Sequence, residues 1–130
     1  MNDHETTIFN AVYSAAAPLC AKNRFVSRQV MDLTAFPAAG LWEMDSATVR
    51  NRQSTALTEN YTRITWQLDV YARTKSECRK VFRAIDERML LLNFTRVSGT
   101  FIEYPENTQV VRYTARYEAV IDADGTLYRA

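Results

Sequence analysis

At 130 residues the chain has room for one domain, and with 47% of them hydrophobic it carries enough apolar material to build a core. Sixteen Lys and Arg against fifteen Asp and Glu leave a net charge of +1, which excludes the overall basic excess typical of non-specific nucleic-acid binders but leaves room for a local basic patch. The polar start Met1–Glu5 lacks the basic-then-apolar pattern of a secretory signal, and the longest apolar runs, such as Met89–Leu92, are far too short to cross a bilayer.

The first helix is expected to start near Asp3, whose carboxylate suits an N-cap, and to turn Ile8, Val12, Ala15, Ala16 and Leu19 inward. Pro18 has no N–H to continue it, so the helix should end or kink near Ala17. Arg24 to Leu33 alternates imperfectly and reads as a strand. Phe36-Pro37 leads into a second, Ala38 to Met44, where the proline marks the strand start or a sheet edge. Ser46 to Glu59 is polar, holds Arg50 and Arg52, and has neither glycine nor proline. It reads as a long loop of the kind that is either functional or disordered, unless it hides a short helix.

The clearest signals follow. From Thr62 to Arg73 the alternation is strict, with Ile64, Trp66, Leu68, Val70 and Ala72 on one face and Arg63, Thr65, Gln67, Asp69, Tyr71 and Arg73 on the other. That pattern predicts a strand with one packed and one wet face. Thr74-Lys75-Ser76-Glu77 fits a capping box opening a helix that buries Cys78, Val81, Phe82, Ile85, Met89 and Leu92. A strand is expected around Thr95 to Tyr104. A longer one follows from Thr108 to Asp122, turning Val111, Tyr113, Ala115, Tyr117, Ala119 and Ile121 to the core. Asp124-Gly125 predicts a two-residue hairpin turn that folds Thr126 to Arg129 back. The resulting order is α-β-β-loop-β-α-β-β-β, an α+β domain with two helices on one face of a mainly antiparallel sheet.

Chemistry-bearing residues are sparse. The single histidine, His4, sits near a terminus and reads as solvated, leaving no histidine-based nucleophile system to assemble. Cys20, Cys78 and His4 fall short of the four ligands of a structural zinc site, and both cysteines read as packed, with a disulfide between them left open. Asp122-Ala123-Asp124-Gly125 resembles a fragment of a calcium loop but lacks its twelfth-position glutamate. Three glycines give no phosphate-cradling loop. Tyrosines interleaved with arginines invite an RNA-binding reading, yet Tyr113 and Tyr117 share the parity of the core face. No catalytic, cofactor-binding or metal-binding residue is therefore assigned.

One further pattern runs through the chain. It comprises Leu41-Trp42-Glu43-Met44-Asp45, the polar loop ending Thr58-Glu59-Asn60, the strand Trp66–Tyr71, and Lys75-Ser76-Glu77-Cys78 opening the second helix. It continues through Ile85–Met89, Leu92–Arg96, Arg112–Tyr117, Ala119–Asp122 and Thr126–Arg129. In these segments the chain resembles the small tail terminator proteins of long-tailed bacteriophages, which complete the tail and join it to the head. The resemblance covers about three quarters of the chain and rests on architectural rather than catalytic motifs. It implies a non-enzymatic virion protein without cofactor, placed at the neck and found in the host cytoplasm during assembly. Such a subunit forms a ring, a hexamer in expectation, on the tail tube protein and below the head connector or head-closure protein, with DNA only as passing cargo and no membrane. Set against that role, the Ser46–Glu59 loop (Arg50, Arg52, Thr58, Glu59) and the final strand (Leu127, Tyr128) are candidate contacts with neighbours. The polar sheet face, Arg63, Gln67, Asp69, Arg112, Arg116 and Glu118, is a candidate channel wall, whose mixed charge would let phosphates pass rather than hold them. The alternatives are another neck or head-completion subunit, or a sheet-based RNA-binding module.

Overall fold

The computed structural model describes residues 4–20, 25–27, 36–48, 61–102, 110–122 and 124–129. Helix α1 (His4–Ala16) runs into a 3-10 turn (Ala17–Leu19). It is followed by strands β1 (Phe25–Val26), β2 (Ala38–Thr48) and β3 (Tyr61–Ala72), helix α2 (Lys75–Leu91), and strands β4 (Thr95–Ile102), β5 (Val111–Asp122) and β6 (Leu127–Arg129). The class is α+β, as the hydrophobic pattern predicts. The sheet has six strands in the order β1-β2-β3-β5-β4, with β6 also on β5. Only the short β1–β2 pairing is parallel. Because β3 fills one side of β5 along its whole length, β4 and β6 share the other, β4 on Arg112–Glu118 and β6 on Ala119–Ile121. Strands β3 and β4 thus run the same way with β5 between them, joined by α2.

The period-two residues of β3 do what their spacing demands: Ile64, Trp66, Leu68, Val70 and Ala72 are all fully buried. They meet Leu41 of β2, Ala115, Tyr117 and Ala119 of β5, and the helix stripes Ile8, Val12 and Ala16 and Cys78, Val81, Phe82, Ile85 and Met89 in one core. Thr74 caps α2, its hydroxyl accepting from the Glu77 amide at 3.1 Å, which satisfies one donor that the helix start would otherwise strand. At the other end Asn93 takes a positive φ of 70°, and the Phe94 amide turns back to the Met89 carbonyl at 3.0 Å. Arg129 of β6 donates to the Leu90 carbonyl at 3.0 Å and the Phe94 carbonyl at 3.3 Å, placing a cation at the helix C-terminus where the backbone dipole favours it.

Several expectations change. The Asp3 cap and most of the Arg24–Leu33 segment lie outside the described residues, where the strand that is seen spans Phe25–Val26. Strand β2 extends beyond Met44 to Thr48, taking the first residues of the expected loop. A bulge between Glu43 and Asp45 inserts Met44 as an extra residue, which resets the alternation and hides the strand's second half from a period-two reading. Arg50, Arg52, Thr58 and Glu59 lie outside the described residues. The hairpin turn is wider than two residues. Among its described residues Gly125 carries the positive φ, at 88°, its amide bonds the Asp122 carbonyl, and the Asp122 amide bonds the Thr126 carbonyl. Cys20 and Cys78 are both buried and free, so no disulfide joins them.

Candidate functional site

With both helices on one side, the other face of the sheet is built from cross-strand rows. One end holds Ala38, Tyr71, Arg112 and Ile102, and the next row Gly40, Asp69, Thr114 and Thr100. Further along come Trp42, Gln67, Arg116 and Ser98, then Asp45, Thr65, Glu118 and Thr95. Of the six candidate wall residues, Arg63 and Arg116 are exposed and Gln67, Arg112 and Glu118 half-buried. Asp69 is not on a wet wall at all. It is fully buried, accepting from the Thr114 hydroxyl at 2.6 Å and the Gln67 amide at 3.3 Å on one oxygen, and paired with Arg112 at 3.2 Å on the other. Arg112 in turn lies over the Tyr71 ring. Parity told the side of the sheet correctly but not the depth: Ala38, Tyr71 and Asp69 at this end of the face are all buried. The polar face is therefore graded, with a locked network at one end and solvated charges at the other.

The sheet edges differ as sharply. Strand β6, the expected edge, is tied down. The Leu127 carbonyl accepts from the Asn93 side chain at 3.0 Å, and Leu127 is half-buried against the core. Tyr128 is 39% exposed, but its hydroxyl donates to Asp122 at 3.0 Å and its ring meets Tyr61 edge-on. The same Asp122 carboxylate accepts from the Asp124 and Thr126 amides at 2.9 Å each. These bonds, the Thr126 amide first, hold its pKa below the usual carboxylate value. Its oxygens thus serve the turn and not a cation. Among the described residues, strand β4 is the bare edge. Seven of its eight residues are exposed, only Phe101 being half-buried, and Val97 stands 55% exposed on a bulge between Arg96 and Ser98. It is held from the helix side, where Arg96 bridges Asp86 at 3.1 Å and Tyr117 donates to the same carboxylate at 2.8 Å. Lys75 and Arg79 lie over the Phe101 ring. At the opposite side of the sheet β1 covers only Ala39 and Gly40, leaving the rest of β2 without a further strand among the described residues; Met44, 41% exposed, sits on its bulge.

The chemistry-bearing groups stay apart. His4 is not simply solvated: its Nε2 meets Glu43 of β2 at 2.8 Å, tying the start of α1 to the sheet, a contact across 39 positions that no local pattern announces. A groove of about 450 Å³ between α1 and the β5–β6 hairpin is lined mainly by Ile8, Ala11, Leu92, Ile121 and Leu127, with His4 and Asp124 beside them. Among the described residues no three His, Cys, Asp or Glu side chains stand close enough to share a metal ion. Nor, among those residues, is any helix long and apolar enough to cross a membrane. Tyr117 is buried on the helix side and Tyr113 packs there against Phe82 and Phe101, so neither offers a ring on the open face for a base to stack on. No protein-family model matches the chain, and no curated protein matches it.

Proposed function

We propose that the chain is a structural subunit that assembles into a ring, caps a bacteriophage tail tube and joins it to the head connector, ending tail growth. It acts through contacts with other proteins and carries no catalytic group. The sequence resemblance to tail terminators supports this reading, and one observation carries it: the bare β4 edge. A strand that ends a sheet presents a row of backbone donors and acceptors ready to pair with another chain, and monomeric proteins usually cover, charge or shorten it. Here it is eight residues long, flanked by the exposed apolar Val97 and Ile102, and its one charged residue, Arg96, is turned to Asp86. The mixed charge of the open face fits a surface past which DNA moves without being held.

Light scattering and electron microscopy of the purified protein, alone and with isolated tail tubes, test the proposal. A closed ring, or ordered binding at tube ends, is the expected result; a particle that stays monomeric and ignores tubes overturns it. A different neck or head-completion subunit is separated by particles made without the protein. Over-long tails answer to the terminator role, whereas tailless heads beside tails of normal length answer to the other.

A further inference from the structure

The two free sides of the sheet match each other. The register runs Glu43–Trp66–Tyr117–Arg96 straight across β2, β3, β5 and β4, with Trp42–Gln67–Arg116–Ser98 on one side of it and Asp45–Thr65–Glu118–Thr95 on the other. Each outer strand carries one bulge next to that row, at Met44 on β2 and at Val97 on β4, and each bulge bears an exposed apolar side chain. The two therefore lie within about one residue spacing, roughly 3.3 Å, of the same height along the strands. In the shared row the charges are opposite, Glu43 on the β2 side and Arg96 on the β4 side, each also holding a partner in its own chain, His4 and Asp86. Three antiparallel steps separate β2 from β4, so the two run in opposite senses.

We propose that copies of this chain join side to side through these edges, the Trp42–Asp45 stretch of β2 in one copy pairing antiparallel with Thr95–Ser98 of β4 in the next, Met44 against Val97. This deepens the ring reading and rests on it. A rotation about an axis along the strands carries one edge onto the other without a shift in height, which continues the rows and generates a heterologous, closing contact. Pairing β4 with β4 across a two-fold axis would instead bring the Arg96 side chains of the two copies to one seam with no acid from β2 between them, and like charges brought together oppose association. The seam places Glu43 beside Arg96 and buries the two bulge side chains together.

Cysteine cross-linking tests the seam, since Cys20 and Cys78 are buried and leave a silent background. The double variant Met44→Cys, Val97→Cys, treated with a short bis-maleimide, should give a ladder of species beyond the dimer, while each single variant and the unaltered chain should not. Light scattering on the same samples, with and without tail tubes, reads assembly independently. Assembly without a ladder overturns the seam and leaves the ring reading standing. A dimer from Val97→Cys alone also overturns it, because that product requires β4 to meet β4. Absence of assembly in every sample, tubes included, removes the ring reading and the seam together.

Discussion

Asp69 is the residue whose surroundings matter most for stability. A buried carboxylate is tolerable only because Arg112, Thr114 and Gln67 all point donors at it. Asp69→Ala strands those donors and should destabilise the fold by about 2–3 kcal/mol, read from the midpoint of urea unfolding, the partial exposure of Arg112 keeping the loss below that of a fully buried pair. Burial acts on the thiols in another way, pushing both Cys20 and Cys78 from an ordinary 9.0 up to about 11. A folded pKa above the unfolded one gives stability that is complete below pH 9 and is lost as pH rises towards 11, because only the unfolded chain then gains thiolate. Unfolding midpoints should hence be insensitive to these groups up to about pH 9 and fall above it. Replacing both cysteines by alanine should remove that part of the decline. Asp69 also marks the limit of reading a sequence by parity. The alternation of β3 assigns it to the polar face, but the partners that hold it there, Arg112 and Thr114, come from a strand more than forty positions away.

Among the elements, α2, β3 and β5 were legible because each is long and regular: strict period two in the strands, and a capped i, i+3, i+4, i+7 stripe in the helix. Strand β2 was half legible, since its bulge breaks the alternation and its last residues are polar. The cap itself is open to test. Thr74→Ala removes the acceptor for the Glu77 amide and should cost about 1 kcal/mol, seen as a lower thermal midpoint, whereas Thr74→Ser should restore most of it. The fixed position of β6 was not legible, because it depends on Asn93 and Arg129 reaching across to backbone carbonyls far away in sequence. A reading by hairpin alone left that strand as the free edge and passed over β4, whose exposed residues give no periodic signal.

For the molecule as a whole, the β4 edge, unpaired among the described residues, sets its behaviour in solution. Val97→Lys places a charge on β4, the device by which natural edges discourage pairing. It should reduce self-association at least tenfold in dilution series while leaving the thermal midpoint of the dilute protein within about 1 °C, since exposed substitutions away from special features cost little. If the midpoint falls with the association, β4 is a structural strand first and the edge argument fails. The candidate site was legible only in outline. The sequence assigned the polar residues to one face and the apolar ones to the other, but the pairing of edges needs the register, which is a property of the assembled sheet.

The central position of β3 and β5 has one more consequence, in time rather than in space. Every amide of β3 lies between two paired neighbours over most of its length, so its exchange with deuterated solvent must wait for opening of the whole domain, whereas outward amides of β4 exchange through local fraying. When a neighbour seats against β4, those fast amides should become slow. Deuterium uptake at Thr95–Ser98 would then serve as a clock for how quickly subunits are captured.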